Sequence, residues 1–411
     1  MADSTIPVSA GFLPLLDSAL LVVAAESGFA AQEDIELSLV RETNWASIRD
    51  RMAVGHFDVA HMLAPMPVAA RLGLTSLAAP MIAPMALGLG GNAITVSQRL
   101  WEQMRDAGAP GDLDPGRAGQ ALKVVVDARA RAAAPRLRFA VVHPHSGHNF
   151  ELRYWLAAVD IAPDTDVEIH VVSPPLMADA LDRGQIDGFC VGEPWNTVAV
   201  DRSGGHVATV KSLIWRSSPE KVLAAAESWA DAHPQVLDGL LRALHRAALW
   251  CEQPEHHEEL ADLLAAPRYL DMPSALILPA IRGRLRTGDG GTRLVEDFFL
   301  PATRAATFPW QSHALWFYSQ MVRWGQIEHS DANARGAMQS YRPDLYRAAL
   351  APTGVPVPGA NAKVEGALAQ AQPVGAVNGP LELGPDGFFD GRVFDPADVE
   401  GYLARNQGEP E

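Results

Sequence analysis

Residues 55–65 read GHFDVAHMLAP, and residues 184–194 read GQIDGFCVGEP. Both stretches begin with Gly, carry Phe or Ile at the third position and Asp at the fourth, and end with Pro at the eleventh, around an apolar run. Each follows a helical stretch, Trp45–Val54 or Leu176–Arg183, so each Gly takes the position that closes a helix. Each apolar run is then a central strand that delivers a Pro-bearing loop to a crevice, which predicts two similar lobes around a ligand. Four matching positions in eleven do not by themselves exclude a chance similarity.

The first forty residues predict the architecture of a lobe. Val8–Phe12 and Ile35–Val40 are typical of strands, and the second alternates apolar and polar residues at period two. Between them, Ser18–Ser27 is typical of an apolar helix that Gly28 closes in a left-handed conformation. Strands that alternate with helices of this length form βα units, so we expect an α/β fold with mainly parallel sheets.

Composition excludes several classes of function. The chain has 411 residues, of which 48% are hydrophobic and 20% charged, as in a globular protein with two lobes. Its formal net charge of −16 argues against direct nucleic-acid binding. The longest apolar runs, such as Ala19–Ala25 and Met85–Leu89, fall short of the roughly 18 residues of a membrane span, so no membrane insertion is expected. The first residues contain no leader segment, which predicts a cytoplasmic protein unless a leader was removed.

Signals for catalysis or metal binding are weak. The sequence contains no GxSxG motif, no Walker loop and no CxxC. Residues 256–259 read HHEE, but adjacent residues on a helix point in different directions, so a solvated polar face is the better interpretation. We therefore expect neither catalytic residues nor a metal or cofactor.

Nine motifs match a known family. In chain order they are residues 11–19 (GFLPLLDSA), 44–50 (NWASIRD), 61–67 (HMLAPMP), 147–158 (GHNFELRYWLAA), 192–196 (GEPWN), 312–317 (SHALWF), 323–325 (RWG), 388–391 (FFDG) and 394–396 (FDP). They run through nearly the whole chain, which resembles the nitrate/bicarbonate branch of the ABC-transporter solute-binding proteins. The resemblance implies a type II periplasmic-binding-protein fold, in which two α/β lobes close around a ligand cleft.

A division of the chain accompanies this resemblance. We expect residues 1–96 and 211–330 to form lobe I and residues 97–210 to form lobe II. Residues 331–411 are expected to form a C-terminal segment that packs on the lobes. Pro/Gly-rich sequence at 349–362 and 370–387 indicates extended chain wrapped over a surface.

Two functions are open within this branch. Most members are exported and feed a transporter, whereas a chain without a leader resembles the cytoplasmic nitrate/nitrite sensors of the NasS type. Those sensors hold an ANTAR-domain RNA-binding antiterminator, NasT, inactive until the anion binds. The sequence thus predicts a cytoplasmic nitrate/nitrite sensor that releases such a partner and controls nitrate-assimilation genes. The alternative is the substrate-binding component of a nitrate or bicarbonate ABC transporter. An enzyme of the same fold, as in pyrimidine synthesis, lacks a reactive constellation here.

Three residues align with ligand contacts of the family: Trp45, His148 and Lys221. Nitrate is planar and monovalent and only accepts hydrogen bonds. N–H donors and one positive charge therefore suit it, and no carboxylate should face it. His148 is expected just before a helix, Phe150–Ala158, where free backbone N–H groups favour an anion.

A glycine-rich turn completes the predicted site. Residues 88–92 read GLGGN and follow an apolar run, and Gly lets the backbone direct its amides at a ligand. Exported nitrate binders carry Gln where Gly90 aligns, so the site departs from theirs at this position. Bicarbonate-binding members use calcium, which leaves a calcium site as an alternative. Glu193 is expected to hold the lobes together. The predicted ligand set is Trp45, Gly90, Gly91, Asn92, His148 and Lys221, with His61, Gly192 and Glu193 as secondary candidates.

Overall fold

The computed structural model describes residues 5–77 and 79–406. Five strands form the first sheet, and a short strand, β5 (Leu89–Gly90), follows its β4 along the chain. The five strands are β1 (Ile6–Phe12), β2 (Ile35–Arg41), β3 (Val59–Leu63), β4 (Met81–Ala86) and β11 (Lys221–Ala226). Their order is β2-β1-β3-β11-β4, and β11 runs antiparallel to both neighbours while the other four share one direction.

A second sheet repeats this arrangement. Its strands are β6 (Asn92–Val96), β7 (Leu137–Val141), β8 (Val167–Val171), β9 (Gly188–Gly192) and β10 (His206–Val210). Their order is β8-β7-β9-β6-β10, and β6 is the single reversed strand. The central strands β3 and β9 are the two apolar runs of the repeated sequence, so the prediction of two equivalent units is confirmed. Gly55 and Gly184, which precede them, have φ of +73° and +63°.

The point at which the chain crosses from the first sheet to the second differs from the expected boundary. We expected residues up to 96 in lobe I, but β6 pairs with β9 and β10 of the second sheet. The chain has therefore crossed to the second sheet before Asn92. It returns to the first sheet with β11. A local hydrophobic pattern identifies a strand but not its partner, which is why the crossing was placed too late.

Helices connect the strands, and several begin with a side-chain cap that the sequence supplies. Asn44, Asp114 and Ser146 each accept a hydrogen bond from the backbone N–H three residues on. No helix in the described ranges is long and apolar enough to cross a membrane. The helices are α1 (Ala19–Glu26), α2 (Trp45–Ala53), α3 (Pro65–Arg71), α4 (Gln98–Asp106), α5 (Pro115–Arg131), α6 (Gly147–Ala157), α7 (Met177–Asp182), α8 (Trp195–Ser203), α9 (Lys211–Ile214), α10 (Glu227–Ala232), α11 (Pro234–Glu252), α12 (His257–Ala265), α13 (Ser274–Ile281), α14 (Gln311–Arg323), α15 (Asp331–Gln339), α16 (Pro343–Leu350) and α17 (Val399–Asn406).

Between α16 and α17, the C-terminal region is mostly extended chain held by short ladders. It packs on residues 211–217, which lead from the second sheet back to the first. Trp215 stacks on Phe388 with ring centroids 4.7 Å apart, and the backbone N–H of Phe389 donates to Ile214. The short ladders of the chain pair β12 (Arg284–Arg286) with β13 (Thr292–Leu294), β14 (Phe299–Leu300) with β5, β15 (Val357–Pro358) with β17 (Ala376–Val377), and β16 (Gln372–Val374) with β18 (Leu381–Leu383).

The reversed strands begin at corresponding places in the two sheets. Lys221, the first residue of β11, lies opposite Leu63, the last residue of β3. Asn92, the first residue of β6, lies opposite Gly192, the last residue of β9. Lys221 and Asn92 therefore lie at the edges where the carboxyl ends of the co-directional strands meet, which is where open α/β sheets bind ligands.

Hydrogen bonds join these two edges across the cleft. The backbone N–H of Leu16 donates to the Glu193 carbonyl at 2.8 Å. The indole Nε1 of Trp195 donates to the Pro14 carbonyl at 3.2 Å. The lobes are thus closed on each other, and the side chains at the edges are enclosed.

Candidate functional site

Lys221 lies at the centre of the cleft and is fully buried. Its Nζ is 2.8 Å from Asp17 Oδ2 and 2.8 Å from Glu220 Oε1. Burial alone would raise the pKa of Asp17, but the Lys221 charge and a hydrogen bond from His61 lower that pKa to about 2. Lys221 is therefore an ion-paired cation and not the isolated one that the sequence suggested. The expectation that no carboxylate faces the site is wrong.

A second buried lysine extends this network. Lys211 Nζ pairs with Glu220 Oε2 and lies 3.2 Å from Glu151 Oε1. Burial would raise the pKa of Glu220, but the neighbouring His148, Lys211 and Lys221 keep it well below its usual range. For Glu151, burial outweighs the attraction of Lys211 and raises the pKa to about 8. At neutral pH Glu151 is therefore protonated, and two lysine charges balance those of Asp17 and Glu220.

Three side chains near this network have polar atoms without a partner. Trp45 Nε1, both amide atoms of Asn92 and both ring nitrogens of His148 are buried and make no hydrogen bond within the described part of the chain. The Trp45 ring lies 5.3 Å from Lys221 Nζ, and His148 Nε2 lies 3.3 Å from Glu220 Oε1 without hydrogen-bond geometry. Buried polar groups normally have a partner, so their convergence here indicates a place for a hydrogen-bonding ligand.

Helix starts position two of these side chains. Trp45 is the first residue of α2, whose Asn44 cap leaves the indole inside the cleft. His148 is the second residue of α6 and not a residue before it, because Ser146 caps the helix earlier than expected. The first turn of α6 also faces the network, since a Cβ on Gly147 would lie 2.6 Å from Glu220 Oε2. Free N–H groups at such an end favour negative charge.

Gly90 and Gly91 do not direct their amides at the site. The Gly90 N–H donates to the Ser218 carbonyl, and the Gly91 N–H donates to the Phe298 carbonyl. Both glycines have positive φ, and a Cβ on Gly90 would lie 2.1 Å from the Phe298 oxygen. Glycine is needed here because β14 packs against this turn. Of residues 90–92, the structure brings only the Asn92 side chain to the cleft.

The secondary candidates have distinct roles. His61 receives the Leu13 N–H on Nδ1 at 3.4 Å, so its Nε2 carries the proton and donates to Asp17 at 2.9 Å. Burial lowers the pKa of His61, which keeps it neutral. The Gly192 Cα borders the cleft, because a Cβ there would lie 3.0 Å from Asn92 Oδ1 and 3.6 Å from Asp17 Oδ2.

Glu193 joins the lobes through its backbone, as its hydrogen bond with Leu16 shows. Its side chain accepts the Thr197 N–H at the start of α8 and so does not face Lys221. Burial raises the pKa of the Glu193 carboxyl to about 7. These contacts agree with the expected role of a residue that holds the lobes together.

Four charged residues of the site were missed from the sequence: Asp17, Glu151, Lys211 and Glu220. Asp17 lies within the quoted GFLPLLDSA stretch, and Glu220 adjoins Lys221, but an acidic residue in a loop is usually solvated. Nothing in the spacing predicts that β11 carries Glu220 and Lys221 into the first sheet after the second is complete. No group of three or more His, Cys, Asp or Glu within the described ranges is arranged to hold a metal ion.

Known proteins share this architecture. A model described as the NMT1-like family matches residues 2–265. The nitrate/nitrite binding protein NrtA of Synechococcus elongatus is 32% identical over 96% of this chain and 85% of its own length. The nitrate import ATP-binding protein NrtC of Synechocystis is 34% identical over 96% of this chain, which spans only 54% of that protein. The crystal structure of the periplasmic nitrate-binding protein NrtA from Synechocystis PCC 6803 is 27% identical, covers 98% of both chains and gives a TM-score of 0.84.

These relatives correct the expected location. The prediction of a cytoplasmic protein is wrong, because the solved structure that covers 98% of this chain is that of a periplasmic protein.

Sequence and structure converge on one family. The family match spans 264 residues of this chain, and the two-lobed fold agrees with a solved nitrate-binding structure along nearly the whole chain. The chain belongs to the NMT1-like family, in the nitrate/bicarbonate branch of the ABC-transporter solute-binding proteins.

Proposed function

We propose that this protein is the substrate-binding component of an ABC importer for nitrate or nitrite. The observation that carries this proposal is the set of unpaired donors around Lys221, contributed by Trp45, Asn92 and His148. An indole N–H and an amide NH₂ only donate to an oxyanion, and nitrate and nitrite only accept. Lobe closure encloses the anion, and a membrane transport complex is the partner that would recognise the closed conformation.

The charge of the site favours a monovalent ligand. Two lysines are balanced by Asp17 and Glu220, so no surplus cation is present to compensate a dianion. Sulfate carries a second negative charge, and nothing in this enclosure would offset the free-energy cost of removing that charge from water. The relatives' names include both nitrate- and bicarbonate-binding proteins, and hydrogencarbonate is thus the second ligand to test.

Binding and transport are favoured over the sensor function. The relatives compared above are named as binding and import proteins, which supports the importer over a sensor that releases an antiterminator. NrtA is named as a binding protein, which agrees with a role in capture without chemistry.

Calorimetry with nitrate, nitrite, hydrogencarbonate and sulfate tests the proposal. We expect nitrate or nitrite to bind and sulfate to bind much more weakly. Lys221→Met should weaken binding at least about tenfold, since hydrogen bonds to charged groups contribute roughly 1.5 to 3 kcal/mol. Lys363→Met is the matched control, because Lys363 is also held between two carboxylates, those of Glu365 and Asp386, outside the cleft. Preference for sulfate, or equal effects of the two variants on affinity, would contradict the proposal.

A further inference from the structure

The buried charges of the cleft already cancel before any ligand enters. Lys211 and Lys221 are balanced by Asp17 and Glu220, and each of these side chains is at most 5% exposed. Glu151 adds no charge, because burial raises its pKa to about 8. A monovalent anion would therefore leave one uncompensated negative charge among buried side chains. Such a charge is costly unless a nearby group changes its protonation.

Among the titratable groups of the cleft, His148 is best placed to make that change. Burial raises the pKa of Glu151 to about 8, and the Glu193 carboxyl accepts from Thr197 and does not face Lys221. His61 uses both ring nitrogens, one to accept from Leu13 and one to donate to Asp17. His148 has two unpaired ring nitrogens. Protonation would give it a positive charge and two donors. Nε2 lies 3.3 Å from Glu220 Oε1, close enough for an ion pair, and Nδ1 remains for the anion.

On the assumption that the proposed function is correct, we propose that the site binds its monovalent oxyanion together with one proton, which His148 takes up from solvent. The groups that face His148 are Glu220 and Lys221 at the start of β11, Lys211 on α9, and Asp17 between β1 and α1. Burial, followed by the charges of Lys211 and Lys221, lowers the pKa of His148 to about 3, although the carboxylates of Glu220 and Asp17 act in the opposite direction. An anion adds a third negative charge to this balance and raises that pKa.

The sign of the pH dependence follows from linkage. Because the anion raises the proton affinity of His148, protons raise the anion affinity by the same factor. Affinity for nitrate should thus increase as pH falls, by up to about tenfold per pH unit where one full proton is taken up. A site that binds through lysines and neutral donors alone would show a flat profile between pH 6 and 8.

Calorimetry at one pH in several buffers counts the proton directly. Nitrate is titrated into the protein in Bis-Tris, imidazole and Tris at pH 7.2, since these cationic buffers differ in ionisation enthalpy and add no competing oxyanion. We expect the observed heat to vary linearly with ionisation enthalpy, with a slope of about one proton taken up per anion. His148→Gln should abolish the slope, and Glu220→Gln should reduce it, because removing one carboxylate leaves a surplus positive charge. His245→Gln is the control, since burial also lowers the pKa of His245, on α11, to about 4.

Each outcome separates the two proposals. Absence of binding heat for every anion in folded wild-type protein would refute the proposed function. Nitrate binding with a slope of zero in the wild type would refute proton uptake and leave the function intact. This wild-type result does not depend on the folding of any variant. A slope that persists in His148→Gln would show that another group takes the proton and overturn the assignment.

Discussion

Two buried asparagines of the second lobe differ in how their amides are satisfied. Asn196 donates to the Val191 carbonyl at 2.9 Å and accepts from the Thr95 hydroxyl at 2.8 Å. Asn92 is equally buried, and neither of its amide atoms has a partner among the residues that the structure describes. A buried amide that is left unpaired lowers stability, so its retention suggests a role in ligand binding.

Replacement of Asn92 by Leu should therefore stabilise the protein in the absence of anion and weaken anion binding. We expect Asn92→Leu to keep or raise the melting temperature of the anion-free protein, because an unpaired amide costs roughly 1 to 3 kcal/mol. The same change should weaken nitrate binding about tenfold. Asn196→Leu, the control, should lower the melting temperature, since the Thr95 hydroxyl and the Val191 carbonyl each lose a hydrogen bond. Thermal unfolding with and without nitrate measures both effects, and a lower melting temperature for Asn92→Leu alone would oppose this interpretation.

The Trp45 indole offers a test that conserves shape. Trp45→Phe removes the Nε1 donor and retains an aromatic ring at the start of α2. We expect nitrate affinity to fall about fivefold to tenfold, as for loss of one hydrogen bond to a charged group. Trp215→Phe removes another unpaired buried indole N–H, which lies beside the C-terminal segment, and should leave affinity unchanged. Calorimetry compares the two, and similar losses would indicate a general packing effect.

Glu151 makes stability depend on pH in a predictable direction. Its pKa is raised from 4.5 to about 8 by burial, so the folded protein retains a proton that the unfolded chain releases above pH 4.5. The stability that this proton supports is complete below pH 4.5 and is lost as pH rises towards 8. Glu151→Gln should escape that loss while keeping an oxygen for Ser218. Denaturant unfolding should show the variant gaining at least about 1 kcal/mol over wild type between pH 5 and pH 8; a constant difference would contradict this.

At the scale of elements, the two reversed strands bring corresponding residues into the cleft. The repeated sequence predicted the central strands β3 and β9 and the glycines that precede them. It did not predict β11 or β6, because the pairing of Lys221 with Leu63 joins residues that lie far apart in sequence. Local patterns specify which face of a strand is apolar, whereas partners depend on the whole topology. For this reason Trp45, His148 and Lys221 needed family resemblance, and Asp17 and Glu220 went unnoticed.

The end of β9 provides a steric test of the cleft. A methyl group at Gly192 would lie 3.0 Å from Asn92 Oδ1 and 3.3 Å from Leu15 Cδ2, in the space beside Asp17. We expect Gly192→Ala to weaken nitrate binding about tenfold, since the neighbouring side chains must shift to admit it. Gly375→Ala is the control, because among the described residues nothing beyond its chain neighbours lies within 4 Å of the added Cβ. Unchanged affinity in Gly192→Ala would place the ligand away from the end of β9.

At the scale of the whole molecule, the C-terminal segment fastens the connection between the lobes. Phe388 is buried against Trp215 and Trp316, and the backbone N–H of Arg216 donates to the Gly387 carbonyl. Tyr154 on α6 of lobe II donates to Asp390 at 2.9 Å. The segment therefore contacts both lobe II and the residues that lead back to lobe I, so its packing stabilises their arrangement.

Loss of this packing should lower global stability. Phe388→Ala removes a buried aromatic ring, and we expect unfolding free energy to fall by about 3 to 5 kcal/mol. Phe389→Ala is the control, because Phe389 is only partly buried and should cost less. Denaturant unfolding measures both variants. Equal and small losses would show that the segment lies on the lobes without stabilising them.

Closure of the cleft also has a kinetic consequence. The side chains around Lys221 are at most 5% exposed, and hydrogen bonds from Leu16 and Trp195 seal the edges above them. An anion inside has no route out until these bonds break and the lobes separate. Where lobe separation is the slow step, the residence time depends on how fast the lobes open and not on which anion is bound. Nitrate and nitrite would then escape with a common rate constant, and any difference in their affinities would arise on the way in.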